Sequence, residues 1–203
     1  MAETHGRRVV AAVNALAAAR LTSGMTLADA RAVFPALETM PSDPPRDAAT
    51  LARLARWCGR YSPWIAVDRS FAPEAPDGTG AVWLDVTGSR HLFGGEDALA
   101  ADLTLRLGDA GYDARAAIAG TPGAAWAMAH FASIITNQDR WTIVASGDEC
   151  EALMALPVVA LRLDRATVAR LQAVGLRRIA DLVALPRTAL AARFGVGPML
   201  RLD

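Results

Sequence analysis

Hydrophobic positions along the chain follow two regimes. Between residues 8 and 145 short apolar runs alternate with helix-spaced stripes, and beyond residue 148 only helical spacing remains. The run Arg8-Val9-Val10-Ala11-Ala12-Val13 predicts a buried strand, and the alanine-rich stretch 15–20 predicts a close-packed helix. A turn at Ser23-Gly24 follows. Thr26 with Asp29 three residues later predicts a capped helix to Phe34, which Pro35 helps to end. The proline-rich segment 40–45 reads as a loop. Residues 47–58 place Leu51, Leu54, Ala55 and Cys58 on one helical face and turn Arg53, Arg56 and Arg60 largely away from it.

Two strands are predicted over 64–67 and 81–86, separated by a loop or hairpin tip with two prolines, Asp77-Gly78 and Gly80. A helix over 96–107 repeats Leu99, Leu103 and Leu107 at spacing four, and a strand over 115–119 follows it. Gly94-Gly95 reads as the turn after Leu92-Phe93. Thr121 and Pro122 stand as N-cap and first helical residue of a helix to about 131, and 141–145 predicts the last strand. Helices are then expected over 148–156, 164–174, 177–185 and 187–194, with Gly175 as the left-handed residue that ends one of them. Strands alternating with helices, then helices alone, predict an α/β or α+β sheet domain followed by a small helical one, with the boundary near Pro157.

Composition narrows the class. With 203 residues, 53% hydrophobic, 21% charged and a mean hydropathy of +0.22, the chain has the material for a packed core and is neither disordered nor fibrous. Cys58 and Cys150 belong to no ligand-spaced cluster and read as free thiols of a reducing compartment, so a cytoplasmic location is expected. No uncharged apolar run approaches the roughly 18 residues of a membrane span. All 21 basic residues are arginine, beside 44 alanines, which a GC-rich coding bias explains without a functional cause. The zero net charge hides a polarity: residues 1–60 hold 8 arginines against 5 acids, 61–155 hold 5 against 13, and 156–203 hold 8 against 3. The last stretch is the natural partner for a polyanion.

Nucleophile, phosphate-loop and metal-ligand motifs are missing, and His5, His91 and His130 share no ligand spacing. Asp68, Glu74, Asp77 and Asp85 crowd the acidic middle, where paired carboxylates on adjacent strands could hold Mg²⁺. Of these Asp85 alone falls in a convincing strand, and Asp77-Gly78 is turn chemistry. At the helical end, short helices meeting at Gly175 suggest a helix-hairpin-helix unit. Such units hold phosphates with helix N-termini and with arginines, here Arg165, Arg170, Arg177 and Arg178. A plain packing unit with exposed arginines fits the same residues.

Six strings, in order, resemble the Y-family (UmuC-like) translesion DNA polymerases: Ser23-Gly24-Met25, Tyr61-Ser62-Pro63, Trp83-Leu84-Asp85-Val86-Thr87-Gly88, Leu92-Phe93-Gly94, Ala155-Leu156-Pro157, and Gly175-Leu176-Arg177-Arg178-Ile179-Ala180-Asp181-Leu182. The resemblance implies an α+β fold: a palm sheet with a helical fingers insertion at about 13–60 inside residues 1–156, then a partial all-α, helix-hairpin-helix-like thumb over 157–203. It further implies an interior segment that lacks the first palm strand and the little finger.

The departures from the family are chemical. The Asp-Glu pair that binds the catalytic metals in these polymerases falls on Gly80 and Ala81, and the Tyr and Arg that hold the incoming triphosphate fall on Asn14 and Ala17. Where the family has Asn-Lys and Ala-Lys, this chain has Thr121-Pro122 and Ala125-Trp126. The family's thumb hairpin Leu-Pro-Gly-Val-Gly is Ala160-Leu161-Arg162-Leu163-Asp164, which leaves Asp164 as a helix cap and weakens amide contacts to phosphate.

This pattern resembles the catalytically inactive branch of the family. It implies a pseudo-enzyme with no cofactor, which binds DNA weakly and without sequence preference in damage-induced (SOS) mutagenesis. By the same resemblance it is a scaffold for the sliding clamp, a RecA-like accessory protein and an error-prone C-family DNA polymerase, held mostly through segments beyond this chain. An active translesion polymerase is the alternative, requiring an upstream carboxylate and rescue by Asp85 or Asp68. A metabolic α/β enzyme is the third reading.

Overall fold

The computed structural model describes residues 2–4, 7–9, 21, 25–41, 43–68, 81–136 and 140–202. The last four residues of the strand expected over 8–13, the helix over 15–20, the turn at Ser23-Gly24 and the acidic residues Glu74 and Asp77 lie outside them, as do Asn14, Ala17 and Gly80. The chain divides into two compact units, Met1–Gly88 and Ser89–Asp203.

In the first unit, β1 (Ala2–Thr4) pairs antiparallel with β2 (Arg7–Val9), Glu3 facing Arg8. The sequence pattern anticipated the second of these and not the first. Helix α1 (Leu27–Val33) is capped as expected: the Thr26 hydroxyl accepts from the Asp29 N–H at 3.1 Å, and Leu27 and Ala30 are buried. Helix α2 (Pro44–Trp57) starts three residues before its expected position. Pro44 and Pro45 occupy its first turn, where a missing N–H costs nothing, and Asp43 caps it by accepting from the Arg46 N–H at 3.1 Å. A 3₁₀ turn, Cys58–Arg60, follows and buries Cys58, whose thiol pKa burial pushes up.

Strands β3 (Ile65–Val67) and β4 (Val82–Leu84) pair antiparallel with Ile65 level with Leu84 and Val67 with Val82. The Tyr61-Ser62-Pro63 string is a clip. Buried Ser62 donates its hydroxyl to the Asp85 carbonyl at 2.5 Å and accepts from the Trp64 N–H at 3.0 Å, so the chain leaving α2 is fastened to the end of β4. Tyr61 beside it is 1% exposed and packs its ring 5.7 Å from that of Trp57.

The second unit opens with a 3₁₀ turn, Arg90–Phe93, which Gly94 ends in the left-handed region at φ 86°. Helix α3 (Glu96–Asp109) buries Leu99 and Leu103. Strands β5 (Ala116–Ile118) and β6 (Trp141–Ile143) are parallel, joined by helix α4 (Pro122–Thr136) as the crossover that a parallel pair requires. Trp141 donates its indole N–H to Asp97 at 2.9 Å and ties β6 to the start of α3.

The remaining elements are α5 (Glu149–Met154), a 3₁₀ turn Val158–Leu161, α6 (Arg165–Ala173), α7 (Ile179–Val183), α8 (Arg187–Phe194) and α9 (Gly197–Leu202). Both the 3₁₀ turn Val158–Leu161 and α9 escaped the sequence pattern, since neither is long enough to show a period. One hydrophobic core runs across Pro157: Phe131 of α4 and Val144 pack in the same cluster as Leu156, Leu171, Leu182 and Leu190.

Candidate nucleic-acid interface

The helical end is built by pairing two of the sequence strings. Leu156-Pro157-Val158 lies antiparallel to Arg177-Arg178-Ile179: the Val158 N–H donates to the Arg177 carbonyl and the Ile179 N–H to the Leu156 carbonyl, each at 2.9 Å. Helix α6 ends as its glycine predicts. Gly175 has φ 86°, its N–H donates to Gln172, and the Leu176 N–H reaches back to Leu171, which together close a Schellman turn.

Asp181 organises the turn that carries the two central arginines. Its carboxylate accepts from the backbone N–H of Arg178 at 2.8 Å and of Arg177 at 2.9 Å, and these bonds hold its pKa below the ordinary carboxylate value. With the Ile179 amide bonded to Leu156, the three successive amides at this helix start are all satisfied internally. The amides of 177–179 are therefore not free for a phosphate, and contact here falls mainly to guanidinium groups.

The four candidate arginines are all exposed, yet they do not converge. Arg165 opens α6, a helix about 13 Å long, and Arg177 and Arg178 lie beyond its other end. Arg170 donates to the Arg193 carbonyl and lies over the Phe194 ring at 5.4 Å, so it is held against α8. Asp164 caps α6 as expected, accepting from the Thr167 N–H at 2.9 Å; bonds from the Thr167 hydroxyl and N–H lower its pKa.

Two departures from the family strings meet in space. Arg162, at the first glycine of the thumb hairpin, keeps a left-handed backbone at φ 55°, and its guanidinium lies 5.0 Å from the centre of the Trp126 ring. Trp126 also stacks on His130 at 4.2 Å. Nearby chemistry at the loop after β5 is acidic. Glu149 accepts from the Gly120 N–H at 3.0 Å and the Gly147 N–H at 2.8 Å, and bonds from its own backbone N–H, Gly147 and Gly120 lower its pKa. No spacing signal could have shown this contact, because 29 residues separate Glu149 from Gly120.

Of the acidic residues in the middle of the chain, Asp85 lies just past the end of β4 and not within the strand, as the pattern had it. It is exposed and accepts from the Thr87 N–H at 3.0 Å; the Thr87 hydroxyl and N–H lower its pKa. Asp68 is level with Ala81, at the opposite end of the ladder. Among the described residues no three His, Cys, Asp or Glu side chains gather as a metal site. Cys58 and Cys150 are both free, and no helix among the described residues is long and apolar enough to cross a membrane.

Comparison with known proteins fits this architecture. Residues 1–130 match the impB/mucB/samB family, and the chain belongs to that family. Protein ImuB of Caulobacter vibrioides (strain NA1000 / CB15N) is 44% identical over 183 residues, covering 90% of this chain and 37% of that protein. The same figures hold for Protein ImuB of a second strain, ATCC 19089 / CIP 103742 / CB 15. The chain thus spans 37% of the length of the curated relatives it matches. Among solved structures, DinB from Sulfolobus solfataricus has a TM-score of 0.66 at 16% identity, covering 98% of this chain and 56% of that one. Dbh DNA polymerase in an insertion ternary complex has a TM-score of 0.64 at 17% identity, covering 96% and 54%. The fold is that of the Y-family polymerases, with much helix and small sheets.

Proposed function

We propose that this chain is the palm, fingers and partial thumb of a catalytically silent Y-family-like protein, acting as a DNA-binding scaffold in damage-induced (SOS) translesion mutagenesis in the cytoplasm. Residues 1–156 form the palm with its fingers insertion at about 13–60, and 157–203 form the thumb. The similarity to ImuB supports the pathway. The sliding clamp, the error-prone C-family polymerase and the RecA-like accessory protein are its proposed partners, reached mostly through segments beyond this chain.

The observation that carries the reading is the state of the metal position. Gly80 and Ala81 stand where the resemblance places the two metal-binding carboxylates, and Asp68 and Asp85 sit at opposite ends of the β3–β4 ladder. Two-metal transfer needs carboxylates that hold both ions within about 4 Å of each other. On the nucleotide side, Trp126 replaces a lysine of the family, and Glu149 adds a carboxylate at the preceding loop. Both changes disfavour a triphosphate.

DNA contact falls to the guanidinium groups of Arg165, Arg170, Arg177 and Arg178, of which Arg170 is held against Arg193 and Phe194 and Arg177 and Arg178 are adjacent. Binding is then electrostatic and independent of sequence. The test is fluorescence anisotropy with labelled duplex DNA over a salt series. Arg177→Ala with Arg178→Ala should reduce the log-log salt slope by up to about 2. Parent-like affinity in that variant at low and moderate salt would reassign the helical end to packing or partner docking.

A further inference from the structure

Helix α2 carries a second cationic surface that the proposed thumb contact does not use. Its apolar face, with Leu51, Leu54 and Ala55, is half-buried to buried, and Cys58 continues it. Arg46, Arg53 and Arg56 lie on the opposite side, at spacings of seven and three that share one helical stripe, and Arg60 extends it by one turn. All four are exposed. Among the described residues no carboxylate pairs with any of them; Arg60 alone is engaged, on the Trp57 ring at 4.2 Å and the Trp57 carbonyl at 3.3 Å. Asp47, the one acid within α2, lies in its first turn, is itself exposed, and by spacing falls on the Leu51 and Leu54 side of the helix.

Helix stability does not explain the stripe. Arg46 sits in the first turn, where a cation opposes the helix dipole. Ala49, Ala52 and Gly59 lie between the arginines, and the one large apolar residue beside them, Trp57, is half-buried against Tyr61 and covered by Arg60, so the stripe presents no exposed apolar centre for a protein interface. What remains is a row of cations about 20 Å long, which faces about six phosphates of one DNA strand at 3.4 Å each.

We infer that the Arg46, Arg53, Arg56 and Arg60 stripe of α2 is a second contact for the phosphate backbone of nucleic acid, separate from the arginines of the helical end. The inference rests on the DNA-binding reading above and adds a surface to it. Exposed arginines without partners can be replaced by alanine, a strong helix former, without loss of α2.

Anisotropy with labelled duplex DNA over a salt series, using the full 203-residue chain, tests it against three variants. Arg46→Ala with Arg53→Ala and Arg56→Ala should lower the log-log salt slope by up to about 3 at an unchanged circular dichroism spectrum. Arg53→Lys with Arg56→Lys keeps the charge and should bind like the parent. The thumb pair Arg177→Ala with Arg178→Ala separates the two claims. If the triple variant binds with the parent's affinity and slope while the thumb pair loses both, the stripe is no contact and the thumb reading stands. Loss in the triple variant alone upholds the stripe and overturns the thumb assignment. A parent chain that binds no DNA overturns both. Polyglutamate that binds the parent but not the triple variant, while DNA affinity is unchanged, would make the stripe a dock for an acidic protein and overturn the inference.

Discussion

The backbone N–H of Asp68 donates to the carbonyl of Ala81 at 2.9 Å, which sets Asp68 level with one of the two residues on which the resemblance to the polymerases places the metal-binding pair. Asp85 is level with Trp64, four rungs along the same ladder, about 13 Å away. No single pair of ions can be shared across that distance.

Asp85 is therefore expected to serve the backbone alone. Asp85→Asn keeps an acceptor for the Thr87 N–H and should leave the circular dichroism spectrum and the melting temperature close to those of the parent. Calorimetric titration with Mg²⁺ should give the same featureless trace for both. A binding heat at physiological Mg²⁺ that disappears in the variant would contradict the assignment.

The carboxylates Asp85, Glu149, Asp164 and Asp181 all have pKa values lowered by hydrogen bonds, so each titrates lower in the folded than in the unfolded chain. The unfolded state binds more protons in that window, and stability rises with pH through it. Their contribution is complete above the ordinary values of 3.8 for Asp and 4.5 for Glu and is lost as pH falls through the lowered ones. Melting temperatures measured from pH 6 down to pH 2 should decline as these carboxylates are protonated. Asp181→Asn with Glu149→Gln should flatten that decline; an equally steep curve would deny these bonds their role.

Arg162 holds a left-handed backbone that costs a non-glycine residue about 1–2 kcal/mol, offset by about 0.5–1 kcal/mol from its position over Trp126. Arg162→Gly relieves the first and loses the second, so its stability by urea denaturation should stay within about 1 kcal/mol of the parent. Arg162→Val, β-branched and without the cation, should be destabilised by more than either term. Equal stability for the two variants would argue against the strained backbone.

Because one core runs across Pro157, the helical end should not melt by itself. Leu182, fully buried in that core, should cost about 2–5 kcal/mol as Leu182→Ala. The loss should register equally in tryptophan fluorescence, to which Trp126 against the same core contributes with four other tryptophans, and in far-ultraviolet circular dichroism. Two separate transitions would mean that residues 157–203 fold as an independent unit.

Local signals were legible in the sequence wherever one side chain decides one backbone turn. Thr26, Asp164 and Gly175 do what their types predict, and α8 runs over the residues its pattern marked. Pro44 and Pro45 misled because proline marks a loop and the first turn of a helix alike, and it is the Asp43 cap that distinguishes them. The candidate interface was half legible. Composition placed the arginines, but the amides that Asp181 consumes depend on the pairing of 156–158 with 177–179, a tertiary contact without a local signature. A visible hint existed in the acid three residues after Arg178, the spacing of a capping box.

Catalytic silence is the central claim, and primer extension measures it most directly. With a primed template, all four deoxynucleoside triphosphates and Mg²⁺ or Mn²⁺, the chain should add no nucleotide, because Gly80 and Ala81, on which the resemblance places the metal-binding pair, have no side chains to hold the ions that stabilise the attacking and leaving oxygens. Template-dependent extension that is abolished by Asp68→Ala or Asp85→Ala would contradict the account and make the chain an active polymerase.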